Sequence, residues 1–562
     1  MYDPANTSPY ASHSLVGGQV DGPERLPADT TQPSRYRRRQ SIQSYHSNYS
    51  KTSQGDAHNQ SQNSASPYGY RPISDYNSRD YSHAEVESAG EHPQQSVGFW
   101  HPRMRKVKKH VFILWARTIL ILAGFIFTTL AMYWMVFSKA QDSLRNLVVH
   151  VVDFDGQVAP YDNVEAVVGP VMTNLTRAMY SSSHPSLGYY VVSPAEYHFN
   201  PVTVRRAVYN WDAWAAIVIS PNATSMLLEA VTSGDDSYDP TGAVEYIIQT
   251  ARQESTTNDY IVPQLQMLTS QFMAQFGAAW GKKLLTNSTF SPKTMAESPA
   301  AVNPGVVPLT IDLRPFEPST TAPAVTTGLI YLIVVTFFSS SILLPIHNKY
   351  IDPKGHPPLH FWHLVIWRWV STVVLYLFAS LAYSLVSVAF GVPLWQPPGS
   401  ATEPTTNATA YGLVSIIVYN LINFLGMTAL GLASENVVMV VGQRWAALWL
   451  IFWMVTNIST SFWPLELAPP FFRWGRGWPL PNVVQASRQI IFNLKSEIVL
   501  NFGVLSAWAV INTALFPICC DFMRWRTAKQ QKAALLDTDR YVVHPFEVER
   551  GVPKNETMSN RE

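Results

Sequence analysis

The stretch VFILWARTILILAGFIFTTLAMYWMVF (111–137) decides the class of this chain. A membrane helix needs about 20 apolar residues. This run exceeds that with one charge, Arg117, close enough to one end to snorkel toward the headgroups. Similar runs follow at 325–346, 361–390, 411–434, 437–461 and 498–520. Hydrophobic residues make up 47% of the 562 and charged ones 14%, a low charge content that fits membrane segments. The net charge of +1 gives no sign of a nucleic-acid partner. The expected fold is a polytopic α-helical membrane protein with six transmembrane helices, carrying an α/β extracytoplasmic domain between helices 1 and 2.

Orientation follows from basic flanks, because Lys and Arg concentrate on the cytosolic side. RMRKVKK (103–109) places a cytosolic N-terminus before the first helix. Alternation then puts 138–324 outside, the Lys349 and Lys354 loop inside, and the loop 391–410, without Lys or Arg, outside. The C-terminal tail 521–562 opens with RWRTAK (524–529) and is cytosolic. One segment disagrees: 462–497 should lie outside but carries Arg473, Arg476, Arg488 and Lys495. Residues 1–110 form a tail ending in the basic flank. Its first hundred residues are polar, low in complexity and without apolar period, so they cannot offset the entropy of ordering and are read as disordered. Ser41, after the arginines of RYRRRQS (35–41), is a candidate phosphorylation site or part of a solvated charge run.

The outer segment 138–324 alternates element types. LVVHVVDF (147–154), LGYYVVS (187–193) and WAAIVIS (214–220) read as buried strands. Residues 162–180 and 201–211 read as helices between them, and 256–285 as a longer helix. The Pro-rich stretch 292–325 reads as a return linker. Sequons at Asn174, Asn222, Asn287 and Asn407 all fall in segments assigned outside. Asn457 falls at the end of the fifth helix, and Asn555 in the cytosolic tail.

VVDFDG (151–156) and GDDSYD (234–239) together resemble a haloacid-dehalogenase phosphatase site. Gln157 stands where a hydroxyl residue is needed, Lys282 and Lys283 follow rather than precede the second motif, and GDDSYDP reads as a turn. Asp153 and Asp155 are therefore expected to end a strand, and the chain is not expected to be an enzyme. GAAWGKK (277–283) has the wrong glycine spacing for a phosphate loop and reads as a helix end. The histidines of 347–363 lack ligand geometry, so no cofactor or metal is expected.

Three other features invite a role. Asn420 and Asn423 are three apart and share a helix face; amides in hydrocarbon serve helix adhesion or a polar path. PNVVQASRQIIF (481–492) reads as an interfacial or re-entrant helix, or an ordinary amphipathic loop helix, with Asn482 as cap and Arg488 on its polar side near the membrane surface. Cys519 and Cys520 close the sixth helix as a palmitoylation candidate or as small packing residues.

LVVHVVDFDG (147–156), WAAIVISPNAT (214–224) and PFFRWGRGWPLPNVVQASRQIIF (470–492), in this order around one leading and five following helices, resemble the fungal nitrosoguanidine-resistance membrane proteins over about residues 100–525. That family is similar to type-2 ABC export permease subunits and bacterial phage-infection-type proteins. The resemblance implies a plasma-membrane protein linked to drug resistance and to export of small amphipathic compounds or membrane lipids. Lacking a phosphate-binding loop, such a protein would act as a homodimer or with a separate ATPase subunit. The transport path would use Asn420, Asn423 and Arg488. The alternative is a non-transporting scaffold that binds partners through its outer domain or tail, and an exofacial hydrolase ranks last.

The topology predicts glycan on some or all of Asn174, Asn222, Asn287 and Asn407 and none on Asn555. A glycosidase-sensitive mass shift that survives removal of those four sites and disappears with Asn555→Gln would overturn it.

Overall fold

The computed structural model describes residues 96–350, 357 and 359–543; Ser41, Lys354 and Asn555 lie outside them. Among the described residues, five helical segments are long and apolar enough to cross a membrane: Arg105–Phe137, Ser319–His347, Phe361–Ala389, Gly412–Val441 and Ile498–Gln530.

The α/β domain that the basic flanks place outside, called the outer domain for that expectation, begins where α1 (Arg105–Phe137) ends. Its elements run β1 (Val148–Asp153), α2 (Val168–Ser181), β2 (Gly188–Val192), α3 (Pro201–Tyr209), β3 (Ala215–Ile219), α4 (Ala223–Ser233), β4 (Val244–Ile248), α5 (Val262–Thr286) and β5 (Leu309–Asp312). The strands form one sheet in the order β2-β1-β3-β4-β5. β1 is parallel to both neighbours, β4 is antiparallel to β3, and β5 is parallel to β4. Both faces are covered, as the continuous apolar strands require. Val149, Val151 and Ile217 pack toward α2, α4 and α5, whose Met172, Leu227 and Phe272 join the same core. Val152, Ala216 and Val218 pack toward Val204 and Val208 of α3. Phe272, Phe276 and Trp280 repeat every fourth residue, so their rings stack along one face of α5.

The strands read from apolar runs are β1, β2 and β3. The Pro-rich stretch 292–325 is more than a linker: it supplies β5, an edge strand short enough to sit among prolines that a central strand would exclude. GDDSYD is a turn, with Gly234 at φ 76° closing α4 and Asp239 accepting from the Thr241 amide. GAAWGKK lies within α5.

Asp153 and Asp155 end β1 in two different ways. The Asp155 carboxylate is buried and accepts from Thr224 N at 2.9 Å, Thr224 Oγ1 at 2.6 Å and Gly169 N at 3.2 Å. It thereby satisfies free amides in the first turns of both α2 and α4. Asp153 accepts only from the Asp155 amide. Burial pushes its carboxyl from the ordinary 3.8 up to about 6, with the Asp155 charge adding and the Asp155 N–H and Arg177 opposing.

The membrane part consists of α1, α6 (Ile330–Asn348), α7 (Phe361–Ala389), α8 (Ser415–Val441), α9 (Gln443–Ser461), α10 (Pro479–Phe492) and α11 (Ile498–Val543). α8 is central and packs on α6, α7, α9, α10 and α11. Gly426 and Gly431 let Val483 of α10 and Tyr376 of α7 lie against its backbone, the close approach that small residues permit in membranes. Three boundaries differ from the expectation. The first helix already starts at Arg105, within the basic flank. The last does not stop at Cys520 but continues through the RWR stretch to Val543. The break between the fourth and fifth runs is Gly442, whose φ of 85° only glycine adopts easily.

Against the six expected spans, five helices are apolar and long enough; α9, expected as the fifth of the six, is too polar to count among them, with Thr456, Asn457, Ser459, Thr460 and Ser461 buried along it. Its first residue follows Gly442, beside the Arg526–Val440 contact of the far end of the bundle. Its last residue leads into Phe462 and Trp463, which touch Gln253 of the outer domain and Phe137.

Asp155→Ala leaves three donors at two helix starts without their acceptor, so the outer domain should lose roughly 3 kcal/mol. Asp153 has the opposite sign. Its folded pKa is raised, so the fold binds its proton, and stability from this group falls as pH rises from about 4 to about 6. Asp153→Asn should stabilise the domain at neutral pH by up to about 3 kcal/mol and flatten that pH interval. Thermal unfolding and limited proteolysis of the full chain distinguish the two.

Candidate functional site

α10 is the element around which the site is built. Pro479 opens it, a position where the missing N–H costs nothing. Its start is held by Asn457 of α9, whose side-chain oxygen accepts from Leu480 N at 3.1 Å. Asn457 is fully buried in this role, unlike the exposed Asn174 and Asn407 and the partly exposed Asn222 and Asn287. Asn482 is not the cap: Trp478 takes that position, and Asn482 Nδ2 donates back to Arg476 O and Trp478 O. The sequence reads as an amphipathic interfacial helix, yet 12 of its 14 residues are buried. The apolar side packs into the bundle; on the polar side Arg488 meets Arg252 and Gln253 of the outer domain, while Gln485 donates to Glu497 and Gln489 accepts from the Glu497 amide.

Arg488 marks that polar side, and it does not sit at an open membrane surface. It is 5% exposed, and its Nη1 donates to Arg252 O at 3.0 Å and to Gln253 Oε1. Gln253 Nε2 in turn donates to Phe462 O at 2.8 Å. Arg252 Nη1 donates to Ala213 O at 2.9 Å, and its guanidinium lies 3.7 Å from the centre of the Trp214 ring. Burial pushes Arg252 down to about 10, while Glu466, Glu497 and Asp212 hold it up. It stays charged at neutral pH.

Two cavities meet at this seam. The outer one has about 480 Å³ and is lined by Trp211, Trp214, Arg252, Glu466, Arg476 and Lys495 among others. The second has about 400 Å³ and lies between three helices, with Tyr133 of α1, Ile330 of α6, and Val455 and Ile458 of α9. Gln253 and Arg488 line both. A chamber beneath the outer domain whose walls mix charged and aromatic side chains thus adjoins a mainly apolar one among the helices, edged by Glu254, Thr326 and Thr327, with a guanidinium at the junction. Such a pair of spaces suits a molecule with a polar head and an apolar body.

Asn420 and Asn423 line neither cavity. Both face Ser384 of α7: its hydroxyl donates to Asn420 Oδ1 at 3.2 Å and accepts from Asn423 Nδ2 at 3.2 Å. They join α8 to α7 and are not brought beside Arg488. Cys520 is buried against Met439, while Cys519 is half-buried. Among the described residues no group of three or more His, Cys, Asp or Glu could hold a metal ion. The reading of the sequence missed Arg252, Gln253 and the tryptophans. Arg252 and Gln253 lie in the turn four and five residues beyond the end of the VEYII strand, a loop position where functional residues concentrate.

The chain belongs to the DUF3533 family, whose description is "protein of unknown function" and whose model matches residues 118–514. It is a multi-pass membrane protein. It is 25% identical over 447 residues to an uncharacterized endoplasmic reticulum membrane protein of Saccharomyces cerevisiae, covering 76% of this chain and 83% of the relative. No solved structure matches. Neither the family description nor the yeast relative shows the resemblance to nitrosoguanidine-resistance proteins or to exporters.

Because Arg488 joins the outer domain to α10, Arg488→Gln should not behave as a mild surface change. Two acceptors would lose a charged donor, and assembly should weaken by about 2–3 kcal/mol. Arg476→Gln, at an exposed position of the same cavity, should be near neutral. Protease resistance of the full-length pair of variants tests this.

Proposed function

We propose that this protein binds amphipathic compounds, membrane lipids included, at the seam beneath the outer domain and moves them between the bilayer and the outer face. The observation that carries this reading is the adjacency of the two cavities through Arg488 and Gln253. An apolar chamber bounded by α1, α6 and α9 can take a chain from the hydrocarbon. The chamber above it offers Arg252, Arg476 and Lys495 beside Glu466 and Glu497 for a polar head.

In this proposal α9 is a sixth crossing, which puts both termini on the side opposite the outer domain. The membrane is taken to be the endoplasmic reticulum, as in the name of the yeast relative, ahead of the plasma membrane implied by the nitrosoguanidine-resistance resemblance. Drug export would be one expression of the same activity. No catalytic residue is assigned: the seam offers charge and shape rather than an activated nucleophile with its base.

The test uses full-length protein in liposomes with a photoactivatable phospholipid and, separately, a fluorescent short-chain phospholipid whose exposure is read by dithionite quenching. Cross-links should map to the residues around Ile330 and Val455 and fall several-fold in Ile330→Trp and Val455→Trp, which fill the apolar chamber. Lipid exchange above that of protein-free liposomes should fall with them. Cross-linking without exchange would leave the binding scaffold as the function, and cross-links unaffected by filling would remove the seam from consideration.

A further inference from the structure

A second polar centre lies at the far end of the bundle. Arg368 of α7 and Glu435 of α8 form an ion pair inside spanning helices, 5% and 2% exposed. Ionisable side chains within membrane helices are costly and tend to mark ion or proton pathways. Arg–carboxylate pairs are frequently matched two donors to two oxygens. Here both Arg368 donors converge on one oxygen: Nε at 3.0 Å and Nη2 at 2.8 Å from Glu435 Oε1. The other oxygen, Oε2, has the Thr372 hydroxyl at 3.3 Å. Arg368 Nη1 meets only the Met523 sulfur, at 3.6 Å.

Beside this pair stands His347, the last residue of the second span. It is 2% exposed, and neither ring nitrogen has a hydrogen-bond partner. A buried imidazole without partners is costly unless it serves a purpose. A small cavity of about 10 Å³ is lined by His347, Arg368, Cys520 and Arg524, room for about one water. The titratable and charged groups around the pair are therefore His347 on α6, Tyr376 on α7, and Cys520 and Arg524 on α11.

We propose that Glu435 is an intramembrane proton acceptor, reached through His347 and the small cavity from the side away from the outer domain, with Arg368 as its counter-ion. The proton passes from the imidazole into the cavity that His347 shares with Arg368, and from there along the Arg368 ion pair to Glu435, whose Oε2 is the loosely held oxygen. The carboxyl becomes neutral, while Arg368 keeps its charge and loses its partner. A buried guanidinium in that state is unstable, so the contact between α7 and α8 loosens. Gly426 of α8 also packs against Val483 of α10, which couples α8 to the seam. The site does not rest on the proposed transfer of amphipaths; combined with it, it supplies an energy source that needs no nucleotide.

Infrared difference spectra of the full chain in lipid, recorded on acidification, test the site without any transport assay. A high-frequency carbonyl band of a carboxylic acid out of water contact should appear in the parent and be missing in Glu435→Gln. His347→Phe should slow its appearance after a pH jump several-fold with its final amplitude kept, which also covers the case in which Glu435→Gln fails to fold. In a Cys519→Ser background, Cys520 is the one remaining thiol. At one fixed pH it should react several-fold faster with a neutral thiol reagent in Glu435→Gln than with Glu435 present. Absence of such a band, its persistence in folded Glu435→Gln, or an unchanged rate in His347→Phe would each overturn the proposal.

Discussion

A guanidinium in a nonaqueous seam must place its donors on something, and Arg314 places its donors on backbone carbonyls from three separate parts of the chain. It is 1% exposed, donating to Leu313 O at the end of β5, to Ser400 O and Glu403 O of the loop after α7, and to Asn493 O at the end of α10. Removing any one of these segments leaves a buried charge short of acceptors, which is strongly unfavourable. Arg252 and Arg488 repeat the device with carbonyls and an amide as acceptors. The outer domain is thus fixed to the bundle by polar groups that have nowhere else to go. The cavities exist because these contacts hold the two parts at a set spacing along α10.

Much of the class was visible in the residues, since apolar runs of spanning length are rare outside a bilayer. The first three strands were visible for a similar reason: each reads as a short run of apolar and aromatic residues, with β3 buried throughout and β1 and β2 buried in part. β5 was hidden because an edge strand needs neither apolar continuity nor freedom from proline, and LTID between Pro308 and Pro315 offers neither signal. α10 shows a deeper limit. Its polar side does face something polar, as the pattern implies, but periodicity does not say whether that partner is water, lipid headgroup or another part of the chain. Only the fold places Arg252 and Gln253 there.

The candidate site divides in the same way. Arg488 was legible as a charge on a short helix within an apolar region, and its partners were not, because they lie more than two hundred residues earlier. Asn420 and Asn423 were legible as a pair on one face, but Ser384 opposite them gives that face an adhesive use. Arg368 and Glu435 carried the plainest signal of all, single charges of opposite sign in two apolar helices. A motif-first reading passes over them, since neither belongs to a recognisable spacing.

The bond from Arg488 to Arg252 O spans 236 positions of sequence, and that separation bears on how the molecule is made. A ribosome delivers the outer domain long before α10 emerges. When α10 does emerge, its buried Arg488 finds its acceptors on a domain already finished. The early-made domain therefore serves as the mould on which the late segment is shaped, and cellular quality control can read success at one point. A chain whose outer domain is misfolded presents α10 with an uncompensated guanidinium at the membrane, the kind of defect that retention machinery acts on.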